Sequence, residues 1–287
     1  MILEQITEKK IPSPADDNMQ KLTLIGGGLH VLNPRFEETV RKQDISDLVN
    51  RARRETAAGA GALAINLGPG RVMAELTNWV VETIAGAVDI PLFLSSGIAA
   101  LSSVLEKYGS RITINAVTAN SDTLAEHLQT SRQYGTQLVV LLVKRGLVPA
   151  GIYDRLQIAS EVISMAMDIG LPLNHLYLDP VITCRPDPVA WEISRGLPDI
   201  DSILETIAFI KELKQNIKTI VALDNATLGL PREKRSAQQG RMLQLLAEAG
   251  LDAAILNCLD SSLMQTAKRI KKNNVPARSD SSCHFLQ

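Results

Sequence analysis

Eight short apolar runs recur along the chain, and the stretches between them are long enough to form helices. The runs are Leu22–Ile25, Ala62–Asn66, Leu92–Leu94, Arg111–Asn115, Leu138–Leu142, Leu176–Leu178, Thr219–Leu223 and Ala253–Leu256. Each is bounded by Gly, Pro, Asn or Asp. Continuous apolar character, rather than strict alternation, fits strands covered on both faces of a parallel sheet. Between the runs, apolar residues return with a spacing near 3.6 over Ile45–Ala58, Glu75–Ala87, Ala99–Lys107, Leu124–Tyr134, Arg155–Met167, Ile203–Leu213, Gln238–Ala249 and Ser262–Lys271. Eight strand–helix units in series predict a single (β/α)8 barrel of the α/β class. The length of 287 residues suits one such barrel, which takes ~250.

Local signals support these boundaries. Asp44-Ile45-Ser46-Asp47 opens a helix with a capping oxygen and a first-turn acid, and Gly59, Gly109, Gly135, Gly170 and Gly250 follow helices. A doubly wound open sheet is the alternative fold. It would need a Gly-x-Gly-x-x-Gly turn after the first strand, and the chain has Gly26-Gly27-Gly28 instead. The expected layout is an N-terminal extension over 1–20, the barrel over 21–272 and a tail over 273–287. The longest connection, Thr183–Ile200, carries Pro186, Pro188, Trp191 and Pro198. Loops of that length in a compact domain are often functional.

Composition narrows the function. Thirty basic and 31 acidic residues give a formal net charge of −1, which offers no electrostatic footprint for nucleic acid. No apolar run reaches the ~18–20 residues that cross a bilayer, and the N-terminus lacks the pattern of a signal peptide. Cys184, Cys258 and Cys283 form no CxxC pair, and His30, His127, His175 and His284 are scattered. No disulfide framework or sequence-encoded metal site is expected, and a cytoplasmic protein is.

In a (β/α)8 barrel, reacting groups come from the C-terminal ends of the strands. Those positions carry Gly26 to His30, Asn66 to Gly70, Ser95-Ser96, Asn115, Lys144-Arg145, Asp179-Pro180, Asp224 to Thr227 and Asn257. The set is rich in neutral amides and hydroxyls. It has carboxylates at Asp179 and Asp224 and no pairing that suggests a covalent nucleophile. Such a rim suits a flat heterocycle oriented by hydrogen bonds. A carboxylate such as Asp179 can accept two parallel N–H bonds from a guanidine-like edge, and Asn115 and Asn225 each offer an acceptor and two donors. Asn66, Ser95 and Asp224 complete the candidate binding set. Each residue also has a plain reading as a cap or turn former. His127, His175 and Cys258 read as structural.

The segments Ala64-Ile65-Asn66-Leu67-Gly68-Pro69, Ile114-Asn115-Ala116, Tyr177-Leu178-Asp179-Pro180 and Ala222-Leu223-Asp224-Asn225-Ala226-Thr227 resemble those of the pterin-binding methyltetrahydrofolate:corrinoid protein methyltransferases. That family is kin to the folate domain of cobalamin-dependent methionine synthase and to dihydropteroate synthase. The resemblance spans roughly Lys21 to Ile270. It implies methyl transfer between N5 of tetrahydrofolate and the cobalt of a separate corrinoid protein, whose cobalt(I) is the nucleophile. Asn115 and Asp179 would hold the pterin edge, and Asn225 would be the catalytic residue, bonding N5. It also implies 5-methyltetrahydrofolate or tetrahydrofolate as substrate, a corrinoid-protein partner and a homodimer. Arg71, Lys144, Arg145, Arg185 and Arg195 are candidates for the folate glutamate tail.

The chain departs from the family at three places. The first loop reads Gly26-Gly27-Gly28-Leu29-His30 rather than a Gly-Glu-Arg-type motif, Ala64 replaces an acid, and Ser95 stands where an aspartate contacts the pterin. A barrel that has lost catalysis and serves a corrinoid complex as a binding subunit is one alternative. Dihydropteroate synthase is another, and its leaving diphosphate calls for cations where this chain has Asp224-Asn225 and Asn257.

Overall fold

A computed structural model describes residues 22–68, 75–95, 98–149, 151–182, 200–214, 216–227 and 230–273. The strands are β1 (Thr23–His30), β2 (Ala62–Asn66), β3 (Leu92–Ser95), β4 (Ile112–Thr118), β5 (Gln137–Leu141), β6 (Leu176–Asp179), β7 (Lys218–Ala222) and β8 (Ala253–Leu256). All pair in parallel, in sequence order, and β1 pairs with β8 to close the barrel. The outer helices are α1 (Pro34–Arg41), α2 (Ile45–Ala58), α3 (Thr77–Ala87), α4 (Ile98–Tyr108), α5 (Ser121–Tyr134), α6 (Ile152–Ile169), α7 (Ile200–Leu213), α8 (Arg232–Glu248) and α9 (Ser261–Asn273). This is the predicted (β/α)8 architecture. Among the described residues, no helix is long and apolar enough to cross a membrane.

Strand residues alternate between two cores, as a pleated strand requires. Leu24, Leu63, Leu94, Ile114, Leu138, Leu178 and Val221 face the helices and join the larger core. Ile25, Ala62, Phe93, Val139, Tyr177, Ile220 and Ala253 fill the barrel interior, with Ala64 and Ile255 packed on them. Phe93 and Tyr177 meet edge to face at 5.6 Å. Offset aromatic contacts of this kind add about 0.5–1.5 kcal/mol beyond the area they bury.

Two strands carry a bulge at the barrel mouth. The β1–β2 register shifts between Gly26 and Leu29, and the β4–β5 register shifts between Ile114 and Val117. β1 therefore continues through Gly26-Gly27-Gly28 to His30, a segment that reads as a loop in the sequence. Helix α1 is an addition to the expected set; Asn33 caps it and Pro34 occupies its first turn. Asp44 caps α2 as predicted, its side chain accepting from the Asp47 N–H at 3.0 Å. Gly59 ends that helix in the left-handed region at φ 112°. Gly109 serves a different need: a Cβ there would overlap the Tyr134 carbonyl. Ile200 begins α7 rather than ending a loop, and Asn273 ends α9 rather than beginning a tail. The remainder of the long connection and the two flanking stretches lie outside the described residues.

Candidate functional site

The polar residues at the strand ends continue the inward phase of the barrel core. Asn66 lies two residues beyond Ala64, Ser95 two beyond Phe93, and Asp179 two beyond Tyr177. Asn66 and Ser95 are register partners, as are Leu141 and Asp179. Asn115 sits two residues beyond Thr113, the register partner of Phe93, and occupies the β4 bulge. Ala64, Ala222 and Ile255 are half-buried, so the mouth has an open apolar floor beneath this polar layer.

Four strand ends share one local device. The side chains of His30, Asn66, Asp179 and Asn257 each accept the N–H of the residue two positions on, at 2.8–3.0 Å. These short side-chain turns set the orientation of each group. Asn66 and Asp179 each keep one terminal atom for other partners. Ser95, Asn115 and Asn225 have no side-chain hydrogen bond among the described residues, so their polar groups are available to a ligand. Asn225 is exposed in the single 3-10 turn Leu223–Thr227 that follows β7.

Asp179 is buried, and desolvation pushes its carboxyl up to about 7, against one opposing hydrogen bond from the Val181 N–H. Its strand end is held from outside by Arg155, a fully buried side chain on α6. Arg155 donates Nε to the Pro180 carbonyl at 3.1 Å and Nη1 to Ser202 Oγ on α7 at 3.1 Å. Asp224 is raised above the usual carboxylate range, first by burial, while its bond to Gln239 works the other way. Gln239 on α8 donates to Asp224 Oδ1 at 3.0 Å and to Thr227 Oγ1 at 2.8 Å, clamping both ends of the turn that displays Asn225.

A further carboxyl enters from α2. Glu55 is 2 % exposed and lies on the buried stripe Leu48, Ala52, Glu55. It reaches β1 at the triple glycine, accepts the Gly28 N–H, and leaves Oε2 buried with no partner. Burial raises it to about 7, and the nearby Asp224 charge adds to the shift. A Cβ on Gly26 or Gly28 would overlap its oxygens. Glu55, Gln239 and Arg155 are absent from the residues proposed on sequence grounds. Glu55 and Arg155 leave a trace: each is an ionisable side chain on the buried stripe of its helix.

Other residues singled out in the sequence make contacts within the fold or lie outside the described residues. His127 Nδ1 meets the Thr123 carbonyl on α5, and His175 Nδ1 the Thr136 carbonyl below β6. Lys144 pairs with Glu161. Cys258 is buried and its thiol is pushed up to about 12. Pro69, Gly70, Arg71, Ser96, Cys184, Arg185, Trp191, Arg195, Cys283 and His284 lie outside the described residues.

No protein-family profile matches the chain. It is 23% identical to methionine synthase of Mycobacterium leprae (strain TN) over 233 residues, 77% of this chain. The chain spans 19% of the length of that curated relative. Among solved structures it is similar to dihydropteroate synthase from Coxiella burnetii in complex with pteroic acid, with a TM-score of 0.64 and 11% identity over 88% of this chain and 93% of that one. The corresponding enzyme from Vibrio fischeri gives 0.63 and 14% over 96% and 100%, and a Yersinia pestis complex with a pterine-sulfa conjugate gives 0.62 and 15% over 89% and 95%. At these identities the likeness is one of fold: the described residues form a closed (β/α)8 barrel similar to those of these solved structures.

Proposed function

We propose that this barrel binds a reduced pterin and moves a methyl group between N5 of tetrahydrofolate and the cobalt of a corrinoid protein. The supporting observation is the polar layer of Asn66, Ser95, Asn115 and Asp179 above the open floor of Ala64, Ala222 and Ile255. A pterin is flat, with apolar faces and a guanidine-like edge. The buried Asp179 carboxyl suits that edge, since two N–H donors arriving together would favour its charged form in a desolvated site. Asn115 can complete the edge with its amide. The 23% likeness to a methionine synthase supports the same reading.

Asn225 is the residue proposed to act at N5. The nitrogen changes its charge and protonation as it gains or loses the methyl group. An exposed amide without an internal partner can turn its oxygen toward N5–H, and Gln239 keeps the turn that carries it in place. The corrinoid of the partner protein supplies the cobalt that accepts or donates the methyl group. This reading includes that separate partner and a homodimer.

The test is anaerobic calorimetric titration with 5-methyltetrahydrofolate, followed by methyl transfer to reduced cobalamin read from the cobalt spectrum. Binding in the micromolar range, about −8 kcal/mol, and spectral conversion are expected. Folded protein that binds without transfer would favour a binding subunit.

Dihydropteroate synthesis is a second reading, favoured by the barrel's likeness to those solved structures. The ends of β7 and β8 carry Asp224, Asn225 and Asn257, none of them a cation that could stabilise a departing diphosphate. Condensation of dihydropterin pyrophosphate with p-aminobenzoate by the purified protein would establish this reading over the first.

A further inference from the structure

A cavity of about 370 Å³ extends the barrel mouth sideways toward α2. It shares Gly27 and Asp224 with the mouth, passes Asn257, and ends at Arg51 and Arg54. Its two ends differ in chemistry. At the mouth end, Asp224 has Oδ1 bonded to Gln239, and Oδ2 faces Gly27, 3.8 Å from where a Cβ would sit. At the helix end stand two guanidinium groups three residues apart, hence on one face of α2. Arg51 commits Nε to Asp47 at 2.6 Å, which leaves its outer nitrogens for another partner. Arg54 is exposed and makes no ion pair or hydrogen bond among the described residues. Glu55 also lines the cavity but turns its oxygens into the glycine cradle of β1.

Resting on the reading of the mouth as a pterin site, we propose that this side cavity receives the ligand's tail, an N-acyl amino acid. Its amide N–H meets Asp224, and its carboxylate is held by Arg51 and Arg54. The benzoyl-glutamate of folates is a tail of this kind. A diphosphate suits the cavity less, because it would bring several negative charges beside Asp224 and Glu55. Lys144 and Arg145 follow β5, across the barrel from β1, and Lys144 already pairs with Glu161.

The test compares 5-methyltetrahydrofolate, as its monoglutamate and triglutamate, with a tail-less tetrahydropterin by calorimetry on the full chain. The variants are Arg54→Gln and Arg51→Gln, with Arg53→Gln, outside the cavity, as control. Each cavity variant is expected to weaken the tailed ligands about tenfold, the scale of one charge-assisted bond, and to leave the tail-less pterin unchanged. Tailed affinities unchanged in both variants would overturn the subsite, as would equal weakening of all ligands or a wild type that prefers inorganic pyrophosphate. A wild type that binds the tail-less pterin as tightly as the tailed ones removes the subsite and leaves the pterin reading standing. A wild type that binds neither removes both.

Discussion

The carboxyl group of Glu55 fills the space in which a side chain on Gly28 would begin. Gly26 presents the same gap to the other carboxyl oxygen, so the triple glycine of β1 is a cradle for an acid carried by α2. A central strand rarely benefits from three glycines, which lack packing area and cost chain entropy. Here their value lies in the missing Cβ atoms.

Gly28→Ala should therefore destabilise the fold by about 2–3 kcal/mol, the scale of an overpacked core. Combined with Glu55→Ala, much of that cost should disappear, giving a coupling of about 1–3 kcal/mol in a double-mutant cycle measured by urea unfolding. Strictly additive costs would mean that the carboxyl does not sit against Gly28.

Stability should fall as pH rises from about 5 to about 7. Glu55 and Asp179 both have folded values near 7, above their ordinary values of 4.5 and 3.8. In that window the folded chain holds protons that the unfolded chain has released. Their contribution is complete below the unfolded values and is lost as pH passes the folded ones, by about 1.4 kcal/mol per pH unit for each group. Thermal melts across pH should show the decline, and Glu55→Gln and Asp179→Asn should each flatten it. A flat wild-type profile would contradict the burial argument.

Asn225→Ala should leave stability within about 0.5 kcal/mol, because the side chain is exposed and unbonded. Single-turnover methyl transfer should slow by about a hundredfold while the affinity for 5-methyltetrahydrofolate changes little, as for a group acting mainly in the transition state. Unchanged turnover would take Asn225 out of the mechanism.

Gln239→Ala should cost about 1–3 kcal/mol, since it removes both bonds that clamp the Asp224–Thr227 turn and leaves buried acceptors unmet. Transfer should slow alongside the stability loss. Comparing denaturation with turnover in Gln239→Ala and Asn225→Ala separates holding the turn from acting at N5.

Ser95→Asp should tighten binding of a reduced pterin about tenfold, by adding a charge-assisted acceptor to the upper layer. Titration of the variant reads this directly. Weaker binding would mean the pocket is arranged around the hydroxyl.

The order and kind of the elements were legible in the chain because they depend on local periodicity. Helix α2 and strands β2 and β8 have the bounds that apolar spacing alone suggests, and Asp44 and Gly59 act as the caps they resemble. The inward phase of Asn66, Ser95 and Asp179 follows from counting by twos along each strand. Helix α1 escaped because it spans eight mostly polar residues, too few for a clear period. The continuation of β1 through Gly26, Gly27 and Gly28 escaped for a different reason: its cause, Glu55, lies in the next helix. Gln239 and Arg155 likewise support the site from the outer ring, across 15 residues to Asp224 and 25 to Pro180. Periodicity records which face of an element is buried, so a sequence shows that Glu55 points inward. Which backbone it meets there depends on how α2 packs against β1, and that is a property of the closed barrel.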